Sequence, residues 1–125
     1  MLYFIRGEFI EETLVGKPPM DAMAWIELIV HPSLDILRKT SIEKKLFGGT
    51  EAGGRVGLMV MEASSNEEVG RYLRSLPFWT AFKWSVVPLQ SFESALEQDK
   101  ETFKRAREMM GEGSKEHYQH RSDLG

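Results

Sequence analysis

The segment Arg55–Glu62 (RVGLMVME) is apolar on both sides, and this property does most to limit what the chain can fold into. Read as a strand, it turns Val56, Leu58 and Val60 to one face and Gly57, Met59 and Met61 to the other. An antiparallel strand with one wet face would alternate apolar with polar residues instead. The segment Phe82–Pro88 is similar, with Phe82, Trp84 and Val86 on one side and Val87 on the other, beside Lys83 and Ser85. Met1–Phe9 (MLYFIRGEF) begins the same way, Leu2 and Phe4 opposing Tyr3 and Ile5. A sheet made of these strands has two apolar faces to cover. The chain's own helices cover one, and a bare second face would exceed the few hundred Å² that a monomer usually exposes. A second copy of the chain is the simplest cover. The alternative is a third helix folding back over that face.

The remaining elements follow in an order that suggests one architecture. After the connection Gly16-Lys17-Pro18-Pro19, a helical stretch runs from about Met20 to Lys45, with Met23, Ile26, Ile29, Val30, Ile36 and Leu37 at helical spacing. Pro32 lies inside it, which predicts a kink or two abutting helices near His31-Pro32, with Ser33 capping the second piece. Leu46–Gly49 reads as a short strand. Ser65 caps a helix, Glu68 completes its capping box, and the helix ends at Pro77. A last amphipathic helix spans about Phe92 to Met110. Its stripe is Phe92, Leu96, Phe103, Ala106 and Met110, which predicts docking on a neighbouring subunit. The expected fold is therefore α+β: a ferredoxin-like βαββαβ unit over residues 1–90 with a four-stranded antiparallel sheet. An added helix over 91–110 and a polar, flexible tail over 111–125 follow it.

Composition narrows the function classes. Sixteen basic against 19 acidic residues leave a net charge of −3, and no basic patch stands out, which argues against nucleic-acid binding. Cysteine is absent, so disulfides, thiol nucleophiles and cysteine-ligated metals are excluded. No apolar run reaches the roughly 18 residues of a membrane span. With Arg6 and Glu8 near its start, the first segment does not read as a signal peptide. A soluble cytoplasmic protein needing no cofactor is the expectation.

A family resemblance rests on the order of several short motifs. These are Ser65-Asn66-Glu67-Glu68-Val69 at a helix start, Leu76-Pro77-Phe78-Trp79 after it, and Val86-Val87-Pro88-Leu89 closing the last strand. Together with the opening Met1-Leu2-Tyr3-Phe4, they resemble the muconolactone isomerase family over roughly the first 90 residues. The resemblance implies a dimeric α+β barrel and cofactor-free proton transfer on a small carboxylated lactone or enol. The chain departs from the family in two places. Gly70 stands where the family commonly has histidine, and Gln90-Ser91-Phe92-Glu93 replaces its His-Pro-Ser segment. A non-catalytic barrel that binds a small ligand, or serves as an oligomeric scaffold, is the competing reading.

Proton transfer beside a carbonyl needs a base and a donor for the developing oxyanion. His31 lies four residues after Glu27 and four before Asp35, with Arg38 close by, so His31 as base, Glu27 as its orienting carboxylate and Arg38 as oxyanion contact form a candidate set. The alternative is an ordinary charged outer face of a helix. Trp25, Phe78, Trp79, Phe82 and Trp84 are candidates for the walls of an apolar substrate pocket, although aromatics so placed also serve as core. Arg6 and Arg55 could each grip a substrate carboxylate, or be strand-end surface charges. His117 and His120 make too small a set for a metal, and no metal site is expected.

Overall fold

The computed structural model describes residues 1–124, with side chains for residues 1–111. Two compact units divide it, Met1–Leu89 and Gln90–Gly125. In the first, strand β1 (Leu2–Phe9) leads into helix α1 (Pro19–Trp25), a π-type turn (Ile26–Val30) and helix α2 (His31–Ile42). Strands β2 (Leu46–Thr50) and β3 (Val56–Glu62), helix α3 (Asn66–Ser75) and strand β4 (Phe82–Leu89) complete it. The strands form one sheet in the order β2-β3-β1-β4, and every neighbouring pair is antiparallel. With a βαββαβ sequence of elements, this is the ferredoxin-like arrangement.

The alternation read from the strands decides which face the helices cover. Tyr3 and Ile5 of β1 and Met59 and Met61 of β3 are buried, joined by Val69 and Leu73 of α3 and by Leu76 and Phe78 after it. Trp25, Ile29, Ile36 and Leu37, from the first helical stretch, pack against the same cluster. The other face carries Leu2, Phe47, Leu58, Val87 and Leu89, all exposed within this chain, around the half-buried Phe4 and Val60.

The first helical stretch is made of abutting segments, the last of which begins at His31, as the sequence predicts near His31-Pro32. Pro32 has no N–H to donate and would clash with the carbonyl four residues back, the usual reason for a kink. Here the chain widens by one residue into the π-type turn, where the His31 N–H reaches the Ile26 carbonyl, and Pro32 falls in the first turn of α2. The expectation that Ser33 caps a second helix is thereby corrected. Ser33 is fully buried inside α2, and its hydroxyl donates to the Ile29 carbonyl at 2.7 Å. The same oxygen accepts the Phe78 N–H at 3.0 Å, tying the helix to the turn after α3.

Ser65 is the N-cap of α3, as read, but the Glu68 carboxylate takes a different partner from the one a capping box requires. Ser65 Oγ accepts the Glu68 N–H at 3.2 Å, while the Glu68 carboxylate turns back to the Ser64 N–H at 2.6 Å. In the second unit, α4 (Phe92–Leu124) has non-helical backbone at Gly111 (φ 73°, ψ −170°). His117 and His120 lie outside the described side chains. Among the described residues no helix is long and apolar enough to cross a membrane, and no group of three or more His, Asp or Glu side chains gathers as a metal-ligand set.

Candidate functional site

A cavity of about 270 Å³ lies between the α1–π–α2 stretch and the sheet. Its floor depends on missing side chains. Gly7 of β1 and Gly57 of β3 are direct partners in the sheet register, on the face the helices cover. A Cβ on Gly57 would meet nothing within 4 Å, so the space above it is open. A Cβ on Gly7 would come within 2.6 Å of the Trp84 ring, so the indole lies against bare backbone there. Gly7 and Trp84 are themselves register partners.

Aromatic rings make one end of this cavity. Phe78 and Phe82 have centroids 4.4 Å apart, Phe82 and Trp84 5.4 Å, and Phe9 is 5.7 Å from both Phe82 and Trp25. These centroid separations lie in or close to the range of favourable edge and offset contacts, which holds the rings as a rigid wall. The Trp84 indole N–H donates to the Trp79 carbonyl at 3.0 Å, and Ser33 fixes the backbone of Phe78. From above, Leu34 and Leu37 of α2 close the space, and Met59 rises beside them from β3. Among the described residues, the polar lining is Thr50 and Arg55. The Arg55 guanidinium sits 5.5 Å over the Phe9 ring and pairs with Glu11 at 3.6 Å.

The residues proposed from sequence divide into two groups. Trp25, Phe78 and Trp84 line this cavity together, with Phe82 between them. Trp79 does not: its ring lies under the Arg74 guanidinium at 5.4 Å and its carbonyl holds Trp84 in place. Arg6 alternates with the buried Ile5 and Gly7, so it stands on the opposite face of the sheet, exposed and paired with Glu8 at 3.1 Å. His31 and Glu27 are exposed and are not among the lining residues. Arg38 lines a second cavity beneath α2, where Asp35 accepts from its Nε at 3.1 Å and its Nη2 at 2.7 Å. Arg38 and Lys39 together hold the Asp35 carboxyl below its usual range.

Sequence reading missed Gly7, Gly57, Phe9 and Leu34 as parts of the site. The two glycines carried a signal, since glycine inside a strand often marks a close approach of backbone or ligand. That they face each other follows only from the β1–β3 register.

No family model matches the sequence, and no curated protein matches it. One solved structure that is similar is 5-chloro-2-hydroxyhydroquinone dehydrochlorinase from Burkholderia phenoliruptrix AC1100, in complex with 2,5-dihydroxybenzoquinone. The two chains are 21% identical with a TM-score of 0.49, and the match covers 74% of this chain and 97% of that one.

Proposed function

We propose that this chain is a small-molecule-binding protein of the muconolactone isomerase type, whose helix–sheet cavity receives a planar, largely apolar molecule. The observation that carries this reading is an open apolar cavity with a glycine floor. A fold that needed only a core would fill that space, because cavities left empty destabilise a protein in proportion to their volume. Rigid aromatic walls and few polar groups are what a site for a flat, weakly polar ligand requires. Titration with phenol and with a muconolactone-type lactone, followed by tryptophan fluorescence, tests it. Saturable quenching is expected, and Leu34→Trp, which fills the cavity from an exposed helix position, should weaken binding about tenfold or more while circular dichroism stays unchanged. Equal affinity in that variant would refute the reading.

The second reading is catalytic: proton transfer on a small carboxylated lactone or enol, with Arg38 as oxyanion contact. What favours it is Arg38's place in the lining beneath α2. It is checked by exchange of lactone ring protons with D₂O, followed by NMR. Exchange that is lost in Arg38→Gln supports catalysis, and no exchange above the uncatalysed rate leaves the protein as a binder.

A further inference from the structure

The cavity beneath α2 that includes Arg38 measures about 290 Å³. It shares Leu34, Leu37, Thr50, Gly57 and Met59 with the aromatic cavity, so the two meet along a common wall of residues. Gly57 stands at that meeting. It pairs with Gly7 on one side and Thr50 on the other, and no atom lies within 4 Å of where its Cβ would stand, so the space above it is open. Taken singly, each cavity falls just below the roughly 300–1,000 Å³ of small-molecule sites, whereas the two together fall within that range.

The far ends differ in chemistry. One is the aromatic wall of Phe78, Phe82 and Trp84. The other presents Arg38 and Ser41 from neighbouring turns of α2. Charge distinguishes the two arginines at the margins of this space. Arg55 is matched one to one by Glu11. At the other end Asp35 is shared by two cations, Arg38 at 2.7 Å and Lys39 at 3.0 Å, which leaves a positive excess around an oriented guanidinium.

We infer that the two cavities form one channel for an elongated ligand, with a planar ring in the aromatic chamber, a flexible spacer over Gly57 and an anionic end at Arg38 and Ser41. This rests on the reading of the aromatic cavity as a ligand site and specifies the ligand's shape and charge. Gly57 is then a specificity-determining position that sets how long a ligand can be.

Phenylacetate, 4-phenylbutyrate and 6-phenylhexanoate, with the amide of the last, test the inference by calorimetry on the full chain. Affinity should rise about tenfold or more from the shortest to the longest acid, and the amide should lose most of that gain. Gly57→Val should weaken 6-phenylhexanoate about tenfold while leaving phenylacetate within about twofold. Arg38→Gln, at an exposed position, should remove the preference for acid over amide. Length-independent affinity in the wild-type protein, or equal losses for short and long acids in both variants, would overturn the channel while leaving the aromatic cavity as a binding site. Failure of every probe to bind the wild-type protein would overturn both.

Discussion

Ser33 shows how one side chain can position the cavity wall. It is fully buried, donates to Ile29 and accepts from Phe78. Ser33→Ala would leave the buried Phe78 N–H without its acceptor, a loss of about 1–3 kcal/mol, measurable as a lower urea midpoint at constant slope. An unchanged midpoint would show that water or a backbone shift replaces the hydroxyl. The sequence could not reveal this role. A serine one place after Pro32 has the look of an N-cap, and only a helix that runs through Pro32 buries it. Gly7 is the second such residue. Gly7→Val would drive its side chain into the Trp84 ring, for which we expect about 1–3 kcal/mol of destabilisation, a shifted indole emission and lost ligand binding. Emission and affinity that stay at wild-type values would mean that Trp84 does not rest there.

At the scale of elements, legibility depended on whether the signal was local. The start of α3 was readable because its cap lies within four residues, and Ser65 is the cap. The partner of Glu68 was off by one position, because its carboxylate bonds to Ser64 rather than Ser65. Those bonds hold the Glu68 carboxyl below its usual range. A depressed pKa in the folded state contributes stability that is present above the unfolded value and is lost as pH falls through the folded one. Thermal unfolding of the wild type and Glu68→Gln should therefore differ above pH 4.5, the ordinary value for this group, and converge at lower pH. Parallel curves down to acid pH would contradict the assignment. The π-type turn was not readable, since Pro32 announces a disturbed helix without saying whether it kinks or widens. That difference matters for the site. The sequence reading carried ideal four-residue spacing from Glu27 to Asp35, whereas the wide turn Ile26–Val30 interrupts that periodicity and leaves His31 and Glu27 exposed.

For the whole molecule, the two-sided apolar strands read from sequence have become one buried and one exposed sheet face. Phe47, at 63% exposure, and Leu58, at 38%, stand on the exposed face around Phe4 and Val60. We propose that a second copy of the chain covers it, sheet against sheet. Leu58→Asp should then convert a dimer, or a multiple of it, into smaller species in sedimentation experiments, and a monomeric wild-type protein would refute the proposal. The order of elements along the chain and four aromatic members of the cavity, Trp25, Phe78, Phe82 and Trp84, were legible from alternation and spacing, whereas Phe9 was missed and Trp79 was wrongly included. The glycine floor was not legible, because it arises from register between strands that lie 50 residues apart in the chain. The catalytic candidates were chosen for their chemistry and their spacing on an ideal helix, and neither guarantees facing a cavity.

The central claim is that the space between α1–α2 and the sheet is a ligand site. Its most direct test is an NMR titration of the full chain with 4-phenylbutyrate, following the indole N–H signals of its three tryptophans and the backbone amides. The account predicts saturable shifts at Trp25, Trp84, Gly7 and Gly57, with the outer-face amides of Leu2 and Leu89 unmoved. Shifts confined to the outer sheet face, or no saturable shift at any of those four residues, would contradict it.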